Sequence, residues 1–322
     1  MEYLRPIRYS LALSAAAGVL AACSTASKLT PLPTVSGFSS ASVSPNTMLS
    51  ARLGRSRRRD LLYVTSGEDV NVYSYPRGAL LGSLGNVGGN LCSDKAGDVF
   101  DSFNAEVLEY AHGAELPKET LYTPSFAGPC SVDPTSGNLG VVSGFPNAVV
   151  VFPYNQKRGW RFAKEYIVAN MEFVHYCGYD GSGNLFIDGT TSSGYAFAEL
   201  PKDGKVVEPL VLNQNFVNPG AIQWDGSYIT FADRGQSYPS AAVIYRFTVS
   251  GYFGTEVGST TLSQSNADGQ FWIQDGRVVG QYLPAKYDDG VGIWAYPAGG
   301  APLKTFATGT IADSETVSVA GR

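Results

Sequence analysis

From Asp60 onward the chain alternates apolar and polar positions in short runs, and the runs recur at a long period. One recurring run is β-branched and aromatic and closes near Pro, Gly or Asn. It reads Asp69-Val-Asn-Val-Tyr-Ser-Tyr-Pro76, Glu106-Val-Leu-Glu-Tyr-Ala-His-Gly113 and Ala148-Val-Val-Val-Phe-Pro-Tyr-Asn155. It returns as Tyr195-Ala-Phe-Ala-Glu-Leu-Pro201, Ala242-Val-Ile-Tyr-Arg-Phe-Thr248 and Val291-Gly-Ile-Trp-Ala-Tyr-Pro297. Successive starts are 37, 42, 47, 47 and 49 residues apart. A period of two over such lengths predicts strands, and no amphipathic helix of useful length is expected.

Ahead of most of these runs stands an aspartate, a turn with glycine, and a second hydrophobic strand. Examples are Asp94-Lys-Ala-Gly-Asp-Val-Phe100, Asp133-Pro-Thr-Ser-Gly-Asn-Leu139 and Asp180-Gly-Ser-Gly-Asn-Leu-Phe186, with shorter forms from Asp225 and Asp275. This is turn chemistry: the Asp side chain bonds the backbone ahead of it, and Gly supplies a positive φ. A further short strand follows the aromatic one, as in Ala79-Leu-Leu-Gly-Ser-Leu84. Each period therefore holds about four strands. Repeats of four strands at this spacing are the blades of a β-propeller. The prediction is an all-β, six-bladed propeller over residues 60–322. Leu61-Leu-Tyr-Val64 stands where a second strand belongs and Thr316-Val-Ser-Val-Ala320 where a first strand belongs, so one blade is expected to be closed by the N- and C-terminal strands. Such closure pairs edges that would otherwise template aggregation.

Over residues 60–322 the sequence resembles the NHL-repeat and SMP-30-like propellers. It is similar in particular to bacterial propeller lipoproteins whose repeats read "Cys-x-Asp-x-x-Gly-Asn" and "Tyr-x-Tyr-Pro", the latter present here as Tyr73-Ser-Tyr-Pro76. The resemblance implies an architecture more than an activity, because propellers of this kind host enzymes, binders and scaffolds alike.

The first sixty residues have a different character. Arg5 and Arg8 precede a small-residue apolar run from Tyr9 to Ala22, too short to span a bilayer and ending Leu20-Ala-Ala-Cys23. That is the three-part layout of a secretory signal over residues 1–22. Its last four residues resemble the lipobox of bacterial lipoproteins. The resemblance implies cleavage before Cys23, acylation of its sulfur, and a lipid bilayer as partner; two or three acyl chains would make a lasting anchor. Ser24, where sorting systems like those of enteric bacteria read Asp as retention, implies the outer rather than the inner membrane of a bacterial cell envelope. Residues 23–59 then form a Ser/Thr/Pro/Arg tether without hydrophobic periodicity, with an r.m.s. span of roughly 33 Å.

Charge is divided along the same boundary. Residues 24–59 carry Lys28, Arg52, Arg55, Arg57, Arg58 and Arg59 and no acid, whereas residues 60–322 carry 15 Lys+Arg against 27 Asp+Glu. An overall charge of −5 argues against nucleic acid as a partner. Two histidines in the whole chain leave little room for imidazole-based chemistry.

Candidate chemistry lies at the channel mouth, where metal-dependent lactonases resembling SMP-30 hold a divalent cation with Glu, Asn and Asp from different blades. Seven residues before the repeat aspartate the chain offers Val87, Phe126, Phe173, Asn218, Asp268 and Asp313, the last counted from Ala320. Asn218, Asp268 and Asp313, with Glu172, His175 and Glu315 nearby, form a half-polar ring that would suit a ligand or a Ca²⁺, Mg²⁺ or Mn²⁺ ion. The same residues also read as ordinary turn formers. Cys92, Cys130 and Cys177 begin first strands of consecutive blades. Core packing is the expected role, with a disulfide between two of them permitted after export. His175 near Cys177 has no orienting acid in sequence, and neither Cys-x-x-Cys nor Gly-x-Ser-x-Gly occurs. The expectation is a lipid-anchored, non-catalytic binding or scaffold module for a peptide, glycan or protein. The alternative is a metal-dependent lactonase-like hydrolase.

Overall fold

A computed structural model describes residues 58–85, 87–144, 147–234, 241–265, 269–284, 290–309 and 312–321. The signal, Cys23, most of the tether and Asp268 lie outside the described residues. All regular structure among the described residues is β, in 26 strands.

The first strands along the chain are β1 (Leu61–Ser66), β2 (Asp69–Ser74) and β3 (Ala79–Leu84), followed by β4 (Asn90–Ser93), β5 (Val99–Phe103), β6 (Glu106–Tyr110) and β7 (Glu119–Tyr122). Next come β8 (Ala127–Val132), β9 (Leu139–Ser143) and β10 (Ala148–Phe152), a two-stranded ribbon of β11 (Tyr154–Asn155) and β12 (Gly159–Trp160), and β13 (Lys164–Ile167). The chain continues through β14 (Phe173–Tyr179), β15 (Leu185–Thr191), β16 (Gly194–Leu200) and β17 (Glu208–Leu212), then β18 (Pro219–Trp224), β19 (Ile229–Asp233), β20 (Ala242–Ser250) and β21 (Phe253–Leu262). It ends with β22 (Trp272–Gln274), β23 (Arg277–Tyr282), β24 (Gly290–Ala295), β25 (Lys304–Ala307) and β26 (Ala312–Ser318).

Four four-stranded sheets stand alone: β4–β7, β8-β9-β10-β13, β22–β25, and β26-β1-β2-β3. The last joins the two ends of the propeller, with Leu61 opposite Ser318 and Val64 opposite Glu315. The expectation of six separate blades is corrected at one place. The four-stranded units β14–β17 and β18–β21 are fused into a single eight-stranded sheet through a parallel pair, Val211 opposite Phe253 and Leu212 opposite Gly254. The cause is length. Strands β20 and β21 have 9 and 10 residues, so their hairpin overhangs its unit and reaches the outer edge of the neighbour. The N–H groups of Val211 and Asn213, unpaired on a free edge, donate to Tyr252 and Gly254 carbonyls at 2.9 and 3.1 Å.

The recurring aspartate behaves as its position dictates. Asp94 Oδ1 accepts the N–H groups of Ala96 and Asp98, Asp180 Oδ1 those of Ser182 and Asn184, and Asp225 Oδ1 those of Ser227 and Tyr228, all at 2.7–2.9 Å. Gly183 adopts a φ of +91° to close its turn.

The apolar core is divided into clusters between successive units rather than gathered into one mass. Leu61, Tyr63 and Val72 meet Leu91 and Val99; Phe100 and Val107 meet Leu139 and Val150; Phe186 and Leu210 meet Ile222 and Phe231. Each fully buried Leu or Phe contributes about 2–3 kcal/mol of transfer free energy, and the clusters hold the sheets face to face. Strands β4, β8, β14, β18, β22 and β26, the first of each unit, adjoin one another in turn and enclose the axis. Gly178 lets two of them close in: a Cβ there would stand 2.5 Å from the Ile222 carbonyl oxygen.

Candidate functional site

The first strands run in one sense, so the channel has a start and a finish. The ring of residues expected from sequence lies at the start. Asn218 Oδ1 accepts the Tyr195 hydroxyl at 2.7 Å, and its backbone N–H donates to Asp233 Oδ1 at 2.9 Å. Glu172 is exposed, as are Phe126 and Phe173, which form the apolar side of this rim. His175 is half-buried with Nε2 at 3.5 Å from the Thr190 hydroxyl; burial and the nearby Arg234 charge lower its pKa. Asp313 is exposed at the rim yet has a raised pKa from partial desolvation.

Glu315 is fully buried, and neither carboxyl oxygen has a hydrogen-bond partner. Burial, then the Asp313 charge, push its pKa well above the carboxylate range. Burial above all raises the pKa of the Tyr176 phenol; the Asp188, Glu315 and Asp313 charges add to this and the Arg234 charge opposes it. The structure thus groups His175, Asp313 and Glu315 around Tyr176 and Arg234, while Asn218 turns to Tyr195. Among the described residues no three His, Cys, Asp or Glu side chains are placed to hold a metal ion.

Sequence reading missed Asp188 and Asp101. Asp188 is fully buried; one oxygen accepts the Tyr176 N–H at 2.9 Å, the other has no partner, and burial raises its pKa strongly. Asp101 is equally buried; the nearby Gly89 N–H falls outside good hydrogen-bond geometry to either oxygen and lowers the pKa only slightly, while desolvation lifts it to about 8. The available signal was an acid inside an apolar strand, Val99-Phe-Asp101 and Leu185-Phe-Ile-Asp188.

All three cysteines among the described residues are buried in the core, and two of them are also bonded. Cys92 and Cys130 form a disulfide between β4 and β8, with Cα atoms 5.7 Å apart. Cys177 is a buried free thiol whose pKa rises well above the ordinary value through burial, and its Sγ faces the Pro129 carbonyl at 3.6 Å. A thiol in that state is no nucleophile at neutral pH. His112, in the turn after β6, links elements: Nδ1 meets Ser318 Oγ at 2.6 Å and Nε2 meets the Arg59 carbonyl at 3.0 Å.

The finishing end of the channel opens into a cavity of about 970 Å³. Six carboxylates line it, Asp94, Asp98, Glu109, Asp133, Asp225 and Asp275, against one lysine, Lys95, whose Nζ is engaged by the Pro134 carbonyl at 2.6 Å. Aromatic rings alternate with them: Tyr154, Trp160, Tyr179, Trp224, Trp272 and Tyr296. Tyr154 packs on Trp160 at 4.8 Å between centroids, and Trp160 Nε1 donates to Glu109 Oε2 at 2.8 Å. Lys118 bridges Glu109 and Asp98 from outside. Toward the channel stands Gln270, 6 % exposed, whose Nε2 donates to the Cys130 carbonyl at 2.8 Å and whose Oε1 has no partner. A smaller cavity of about 530 Å³ lies between the fused units, where Glu199 and Glu208 face each other across β16 and β17.

No family model and no curated protein matches this sequence. Solved structures do. A chain of a nidogen/laminin complex superposes with a TM-score of 0.59 at 11 % identity, over 82 % of this chain and 100 % of that one. A protein of unknown function from Bacteroides caccae superposes with a TM-score of 0.54 at 10 % identity, over 80 % and 98 %. A functionally unknown protein from Desulfotomaculum acetoxidans gives 0.52 at 11 %, again over 80 % and 98 %. At these identities the likeness is one of fold.

Proposed function

We propose that the propeller is a binding module, held at the cell envelope through acylated Cys23, whose ligand enters the cavity at the finishing end of the channel. The observation that carries the reading is the cavity itself. Its volume of about 970 Å³ is that of a ligand site, and aromatic faces and a few polar groups converge on it. At the starting end Asn218 is engaged by Tyr195 and Glu315 is desolvated, while Glu172 and Asp313 are exposed on the rim. The nidogen/laminin structure gives a precedent for this fold within a protein complex.

Site-specific photocrosslinking in the intact envelope tests the reading. A benzophenone side chain replacing Trp272, inside the cavity, is expected to capture a discrete adduct. The same group replacing Phe162, which is 98 % exposed and outside the cavity, is not. Equal capture at both positions, or none at 272, overturns the reading. The anchor is tested separately: Cys23→Ser is expected to release the protein from membranes, and a variant that stays membrane-bound refutes the acylation.

A further inference from the structure

The chemistry of the cavity wall narrows the ligand class, and this step rests on the binding reading above. Six carboxylates outnumber the cations beside them, Lys95, the Lys118 that pairs with Asp98 and Glu109, and Arg246 at the rim, and leave a negative potential inside a concave, low-dielectric mouth, where field lines concentrate. Anionic ligands are repelled. Gln270 lines the cavity, and its buried Oε1 is an acceptor without a partner, which a donating group would satisfy. The aromatic faces favour a group that is flat, cationic, or both.

A guanidinium meets all three conditions. It has five N–H donors and no acceptor, carries a permanent charge, and stacks on aromatic rings. The rim already holds one such arrangement built from the chain itself. The Arg246 guanidinium carbon lies 5.8 Å from the centre of the Tyr296 ring, and Tyr296 donates to Asp225 Oδ2 at 2.6 Å. We infer that the cavity recognises an arginine side chain presented by a peptide, the guanidinium lying between the tryptophan faces and donating to Gln270 Oε1 and the surrounding carboxylates.

Three of the four tryptophans of the chain line the cavity, whereas Trp294 is fully buried elsewhere. Intrinsic fluorescence of the full-length protein therefore reports occupancy. Acetyl-tetra-arginine amide is expected to give a saturable change whose affinity falls as salt is raised. Tetra-lysine is expected to bind at least tenfold more weakly, because an ammonium cannot stack or bond in a fork, and tetra-glutamate not at all. Gln270→Leu is expected to weaken the arginine peptide at least tenfold. Asp275→Asn keeps the turn, since Asn tolerates the φ of +48° found there, and is expected to weaken it about threefold. Tyr252→Ala, 63 % exposed and outside this cavity, is expected to change nothing. Equal binding of the glutamate peptide, or arginine binding indifferent to both Gln270→Leu and Asp275→Asn, overturns the inference. A neutral probe, N-acetylchitotetraose, separates it from its premise. Saturation by the saccharide and not by the arginine peptide would overturn the cation and leave the binding module standing.

Discussion

Asp101, Asp188 and Glu315 are carboxyls held where water does not reach, and each has at least one oxygen without a partner. Such a group stays folded by remaining protonated. For Asp101 the unfolded carboxyl ionises near 3.8 and the folded one near 8. Between those values the folded state holds a proton that the unfolded state has released. Stability is therefore full below about pH 4, declines as pH rises through the window, and levels off above the folded pKa. The decline attributable to this residue is on the order of 5 kcal/mol at most. Asp101→Asn keeps the shape and cannot ionise. Its melting temperature is expected to exceed that of the wild type at pH 8 and to converge with it near pH 4. Parallel profiles of wild type and variant across that range would refute the assignment. Glu315→Gln is expected to shift the profile in the same direction, because burial raises that pKa too. In sequence Glu315 stood out by its place beside the channel-mouth ring, whereas Asp101 and Asp188 were visible only as breaks in apolar alternation. Their burial depends on which sheet faces the strand, and no local pattern holds that information.

At the scale of elements, strands and turns were legible because their causes are local. The six aromatic runs became β2, β6, β10, β16, β20 and β24, the third strands of their units, and the Asp-led turns join first strands to second ones. Three features depend on how the units meet and were not legible. One is the fusion of β17 to β21, set by the overhang of a hairpin. Another is the choice of Cys92 and Cys130 as partners, set by the approach of β4 to β8. The third is the cavity. The repeat aspartates are turn formers at the cavity end, and the ring expected to hold a ligand stands seven residues before them. Seven residues of strand cover about 23 Å, which puts that ring at the opposite mouth. The disulfide spans 38 residues, and replacing both cysteines by alanine is expected to cost about 2–4 kcal/mol in urea unfolding. Reductant should then lower the midpoint of the wild type alone, and an equal fall in the double variant would argue against the bond. Cys177 should stay silent to a thiol reagent until the chain unfolds.

At the scale of the whole molecule, stability rests on a closure that no single unit contains. Strand β26 is the last of the described strands, yet it pairs with β1, the first. It also serves the next unit: Ser314 Oγ accepts the Leu91 N–H at 2.8 Å, and Ser93 Oγ donates to the Val317 carbonyl at 2.9 Å. Removing it uncovers Leu61, Leu62, Tyr63 and Val64, each at most 1 % exposed in the closed ring, along a strand left with a bare edge. Bare apolar edges pair with other chains. A chain ending at Gly309 is therefore expected to lose its single cooperative urea transition and to elute from gel filtration as aggregates. A synthetic peptide of residues 310–322, added during refolding, is expected to restore a monomer. Its effect should vanish if Val317 is replaced by Asp, because that side chain packs among Leu62, Val64, Val279 and Val291. If the truncated chain remains a monomer with an unchanged midpoint, the units are stable by themselves and the closing strand is no more than a seam. The cavity's geometry would then need another cause, since its wall draws on β4, β8, β14, β18, β22 and β26 together.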